Sequence, residues 1–182
     1  MSGLLGKNSQ AANQIALNLS TITYMVAMGF SVVAMIRVGN QKGKQNFIEL
    51  RRVAISVFLL IFLFDILFCL IFILLHDQLP WIYLDASDSI NSKDIYTVVK
   101  LSSGLLLISA FFQISDGLQS VLIGALRGLQ DVRLPALIAF ISYGIIGLPI
   151  SYFLGIRIDY GVNGIWIGLL VGLTFSSILL LI

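Results

Sequence analysis

The sequence predicts an all-α protein, a polytopic transmembrane helix bundle with five spanning helices, and three observations predict it. Hydrophobic residues make up 58% of the 182 and charged residues only 11%, at a mean hydropathy of +1.00, whereas soluble domains carry about 25% charged residues. The charges are clustered and leave five long apolar stretches between them. Those stretches lack the period-two alternation of barrel strands, so the α-helix is the remaining way to satisfy the backbone N–H and C=O groups inside lipid. The lipid bilayer is thus the first partner to expect. The net charge of +2 gives no reason to expect nucleic acid. Cys69 is the single cysteine, so no internal disulfide forms. The opening MSGLLGKNSQ carries only Lys7 and no cleavage pattern, unlike a secretory signal.

Span one covers Gln14 to Ile36 and is closed by Arg37. Span two covers Val53 to Leu75, between Arg51, Arg52 and His76. Span three covers Leu101 to Leu126 and ends at Arg127. Span four covers Leu134 to Leu154, and span five runs from Gly164 to Ile182. A rise of about 1.5 Å per residue makes each long enough to cross a core of about 30 Å. Residues 1–182 read as one bundle without an internal repeat or a low-complexity tract.

Charge places the connections. The loop from Arg37 to Arg52 holds Arg37, Lys42, Lys44, Arg51 and Arg52 against Glu49, and the turn from Arg127 to Arg133 holds two arginines and Asp131. Both lie on one side of the membrane, and their basic excess makes that side cytoplasmic. The loop from His76 to Lys100 is acidic, with Asp77, Asp85, Asp88 and Asp94 against Lys93 and Lys100. This gives a multi-pass protein of a bacterial-type inner membrane, N-terminus outside and C-terminus cytoplasmic. Trp81 and Tyr83 read as an interfacial aromatic belt. An odd helix count, an outside start without a signal and an end flush with the last apolar residue suggest a fragment. On that view the first ten residues are the tail of a preceding helix and its turn.

Small residues and prolines mark the packing. Gly164, Gly168, Gly172 and Ser176 recur every four residues on one face of span five, a ridge that lets another helix approach closely. Gly124 and Gly128 form a shorter version. Pro149, after Gly144 and Gly147, is expected to kink span four or mark a flexible point. Pro135 falls in the first turn of that span, where a missing N–H is tolerated.

The chemistry concentrates on Asp116, near the middle of span three. A carboxylate at that depth costs about 2.5–3.5 kcal/mol on insertion scales. At helical spacing Ser109, Gln113, Asp116 and Ser120 share one polar face, with Gly117 and Gly124 beside it. Such a stripe points to a bundle interior or a wet cavity, where the carboxyl either takes up and gives back protons or stays ionised and holds Na+ with help from Gln113. A structural hydrogen-bonding role is the competing reading. Asp65, central in span two, has no polar residue within a turn and no basic partner in any span. It is either a second proton site or a neutral acid bonded to a neighbouring helix. On span one Gln14, Asn18 and Thr21, flanked by Tyr24, form a face that either lines a cavity for a large organic cation or serves interhelical hydrogen bonds. Beyond a Na+ ion at Asp116, nothing suggests a metal. No Gly-rich phosphate loop, metal-ligand cluster or nucleophile with a base is present, so neither an enzyme nor a cofactor is expected.

The segments Ala11 to Leu17 (AANQIAL), Ile36 to Asn40 (IRVGN), Gly124 to Gly128 (GALRG) with Asp131 and Pro135, Gly147 to Pro149 (GLP) and Gly161 to Trp166 (GVNGIW) occur in the order and spacing of a known family. They resemble the multidrug and toxic compound extrusion (MATE) transporters. The resemblance implies a twelve-helix fold of two six-helix bundles, with the five spans corresponding to helices eight to twelve, and secondary efflux of amphipathic organic cations in exchange for H+ or Na+. It matches Asp116 to the family's acidic residue in the tenth helix and Gln14 to a drug-contacting glutamine near the start of the eighth. The family's acid on the seventh helix precedes this chain, and Phe112 stands where some members carry tyrosine. The resemblance also implies a missing N-terminal bundle as partner. A lipid-linked oligosaccharide flippase and a non-transporting remnant are the alternatives. No span contains a lysine or arginine to meet pyrophosphate, which counts against the flippase.

Overall fold

A computed structural model describes residues 6–84 and 92–181; Asp85 and Asp88 of the acidic loop lie outside the described residues. Among the described residues, five helices are long and apolar enough to cross a membrane. They are α1 (Lys7–Gly43), α2 (Phe47–Leu75), α3 (Ser92–Gly128), α4 (Arg133–Arg157) and α5 (Gly161–Leu181). A short 3-10 turn, Leu79–Ile82, follows α2.

Helices α1 and α3 have 37 residues each, about 55 Å at the usual rise, and so extend well beyond a bilayer core. This corrects the expected boundary at the start of the chain. Lys7 to Gln10 are the first turn of α1 itself, not the tail of another helix. No helix-breaking residue follows Gly6, and the turn is tied down by Asn8 donating to Asp94 Oδ1 at 3.1 Å and by Lys7 paired with Asp94 at 3.2 Å.

Both tight connections lie at the opposite end. Between α1 and α2 the chain reverses at Gln45, φ 54°, and Asn46 caps α2 by accepting from the Glu49 N–H at 3.2 Å. Between α3 and α4 it reverses at Gln130, φ 62°, and Asp131 accepts from the Leu134 N–H at 3.2 Å. Lys42 donates to the Leu129 carbonyl, so the two basic turns touch. Their common end agrees with the charge pattern of the sequence.

Helix α3 sits at the centre, packed against α1, α2 and α5. Its contact with α1 is the most extensive and is parallel: Ser20 and Ser109 share a hydroxyl hydrogen bond at 2.6 Å, and Ser31 donates to the Ser120 carbonyl at 2.6 Å. Gly124 and Gly128 let α1 approach, since a Cβ at either would run into the backbone of Ser31 or Met35. Apolar cores fill the rest, one around Leu105, Leu106 and Trp166, the other around Ala27, Ile61 and Val121. Helix α2 turns a broad row of leucine and phenylalanine outward, including Leu63 at 64% and Leu74 at 76% exposed, as a lipid-facing helix should.

Helix α4 is joined to the others chiefly through α5. A Cβ at Gly164 would collide with Leu154, one at Gly168 with Ser151, and one at Gly172 with Ser142 and Gly147. The ridge on span five thus faces span four. Pro149 is accommodated by a change of helical pitch. Phe140–Gly147 and Phe153–Arg157 are π-helical, with α-helix at Leu148–Tyr152 between them. The proline ring would crowd the carbonyl four residues back, and a wide turn just before it relieves that contact.

Candidate functional site

The polar face of α3 opens into a cleft of about 250 Å³ between α1, α3, α4 and α5. Asp116 lines it, half-buried. From α1 come Ser20, Thr21 and Tyr24; from α3 also Phe112; from α4 Tyr143; and from α5 Leu169 and Leu173. One carboxyl therefore stands among three aromatic rings and a leucine wall. That pairing of a negative group with polarisable faces suits a cation bearing an apolar body.

Hydrogen bonds within and between the helices set the polar groups around Asp116. Thr21 donates to the Leu17 carbonyl of its own helix at 2.7 Å. Tyr143 donates to Gln119 Oε1 at 2.6 Å, and the Gln119 amide donates to Ser176 Oγ at 2.9 Å. This chain crosses three helices and fixes the phenol at the edge of the cleft. Ser115 and Thr174 share a bond at 2.9 Å, and Ser177 donates to the Ser115 carbonyl at 2.7 Å, so α5 is held against α3. Phe112 stacks obliquely on Trp166, centroids 5.5 Å apart, and Trp166 donates to Asn13 Oδ1 at 2.8 Å.

The structure brings some of the sequence candidates together and leaves others apart. Asp116, Thr21 and Tyr24 share the cleft. Gln14 and Asn18 do not line it; they are exposed further along α1, where Gln14 donates to Asn18 Oδ1 at 3.1 Å. Gln113 and Asp65 are buried, each 3% exposed, behind the cleft. Pro149, Gly164, Gly168 and Gly172 lie at the α4–α5 contact. Tyr143 and the apolar wall from α5 were not singled out by sequence reasoning, which noted Gln119 only as a polar neighbour of Asp116. A phenol at mid-span beside Gly144 was the available signal.

The comparisons with known proteins agree with this architecture. A family model described as MatE matches residues 1–153. A probable multidrug resistance protein NorM of Xylella fastidiosa is 35% identical over 178 residues, which is 98% of this chain and 36% of that protein. Another, from Rhodopseudomonas palustris, is 41% identical over 170 residues, 93% of this chain and 35% of that one. The crystal structure of the eukaryotic MATE transporter AtDTX14 superposes with a TM-score of 0.82 at 20% identity, covering 93% of this chain and 36% of that one. The chain therefore spans roughly a third of the length of the relatives it matches.

Proposed function

This chain belongs to the MatE family, and on that premise we propose that it supplies the cation-coupling bundle of a secondary multidrug exporter in a bacterial inner membrane. The observation that carries the proposal is Asp116, a carboxyl without a basic partner, facing a cleft walled by Tyr24, Phe112 and Tyr143. An amphipathic organic cation lays its charge on the carboxylate and its rings on the aromatic faces. Arrival of H+ or Na+ at the same carboxyl cancels that attraction and releases the drug. Each charge carried down the membrane potential supplies about 2.3 kcal/mol per 100 mV. The proposal places the rest of a relative-length transporter, an N-terminal bundle, across the cleft, so that rocking of the two bundles exposes it to either side. The reading asks for no cofactor beyond the coupling ion and for no bond-making chemistry.

Gln14 and Asn18 extend the polar stripe of α1 away from Asp116 and give the drug its entry surface in this proposal. The flippase alternative needs cationic groups for pyrophosphate, and the cleft offers a carboxylate. The test is Asp116→Asn in the protein expressed from its own gene in a drug-sensitive host. Drug export should be lost at unchanged membrane level; full resistance in that variant overturns the proposal, and an unsubstituted protein that exports nothing is what the remnant reading would require. In membrane vesicles, export driven by an imposed pH gradient or by an imposed Na+ gradient identifies the ion.

A further inference from the structure

The five spans contain two charged residues, and the second, Asp65 on α2, takes no part in the cleft. It is 3% exposed, and its Oδ2 has no hydrogen-bond partner. The carboxyl lies against Gly117 where a side chain would begin, since a Cβ there would collide with Asp65 Oδ1, Oδ2 and Cγ. Gly117 is thus a notch in α3 that admits one acid from α2. One turn earlier on the same face, Gln113 is also 3% exposed, and neither its Nε2 nor its Oε1 is bonded. Around the helix Gln113 lies about 60° from Asp116 and about 40° from Gly117, between the carboxyl in the cleft and the carboxyl behind it. Helices α2 and α3, which carry the two acids, pack directly together, and Asp65 meets α3 at the residue next to Asp116. Buried polar atoms are ordinarily satisfied, and three are vacant here on two facing helices.

We propose that Asp65 and Gln113, over the Gly117 notch, form a second, interior site for a small monovalent cation, loaded from the cleft through Asp116. The inference rests on the preceding proposal only for the route. Two of the three vacant atoms are acceptors, Asp65 Oδ2 and Gln113 Oε1, and a cation satisfies both. Gln113 Nε2 is left to donate to either carboxylate. For a proton the step is a transfer: the Asp116 O–H bond breaks, an O–H bond forms at Asp65, and Asp116 is again ionised. For Na+ no covalent bond changes. The titratable groups on the two helices are Asp116 on α3 and Cys69 one turn along α2; Tyr24 and Tyr143 stand with Asp116 in the cleft, and none of the four carries a positive charge.

The experiment counts cations on the purified chain in lipid nanodiscs. Radioactive Na+ binding reads one arm, and the carbonyl-stretch bands of buried protonated carboxyls in infrared difference spectra read the other. The wild type should hold two cations of one kind per chain, and Asp65→Asn, nearly isosteric, should hold one. Gly117→Ala, which displaces the acid without removing it, and Gln113→Leu should also fall from two to one. A cation count unchanged by Asp65→Asn overturns the inference. Failure of the cleft proposal looks different: the wild type then holds a single cation, which Asp116→Asn keeps and Asp65→Asn loses.

Discussion

Tyr143 shows how much one atom can hold. Its hydroxyl is the donor to Gln119 Oε1 at 2.6 Å. Tyr143→Phe keeps the ring in the cleft and strips that acceptor of its donor, which should cost about 1–3 kcal/mol. Reversible unfolding of the chain in mixed micelles measures the loss. Drug binding should weaken little, because the aromatic face remains. Asp116 and Asp65 were legible in the sequence as carboxyls in apolar runs, and the structure finds both inside the bundle. What no spacing reveals is a partner in another span: the fit of Asp65 over Gly117, 52 positions away in the chain, or the bond from Tyr143 to Gln119 across a turn.

At the scale of the helix, two devices decide how the elements meet. The α5 ridge is the tighter, because Gly168 lies against the Ser151 backbone, which cannot rotate away. Gly168→Val should therefore destabilise by about 1–3 kcal/mol or more through overpacking, with a lower unfolding midpoint, and should loosen α4 before α1 to α3. The cap at Asn46 is weaker; Asn46→Ala should cost about 0.5–2 kcal/mol, read by the same titration. The number and order of spans followed from composition, because twenty apolar residues in lipid have one backbone solution. Helix ends did not: α1 and α3 continue past the bilayer on polar residues that hydropathy reads as loop. The π-helical stretches of α4 were legible only as a break near Gly147 and Pro149.

For the whole molecule the question is which end faces the cytoplasm. The basic turns are joined by Lys42 and the Leu129 carbonyl, and Lys7, Asn8 and Asp94 gather at the other end. If the charge rule sets orientation, a cysteine placed at Lys44 in a Cys69→Ser background should resist an impermeant thiol reagent in intact cells, and one placed at Asp159 should react. Reversed labelling would refute the orientation. That α3 is the common neighbour of α1, α2 and α5 was not readable from any one span, since it depends on which polar residues find each other in three dimensions.

The change of pitch in α4 has a consequence for how this gene tolerates lesions. Losing one residue from a regular helix turns everything beyond it by about 100°, which would carry a packed face into lipid. Phe140–Gly147, bonded five residues apart, holds slack that can be given up. Deletion of Ile141 should let the stretch tighten to ordinary winding and leave Ser151 seated against Gly168, whereas the same deletion at Leu105 should abolish the fold; surviving membrane levels of the two frame-preserving mutants would tell them apart.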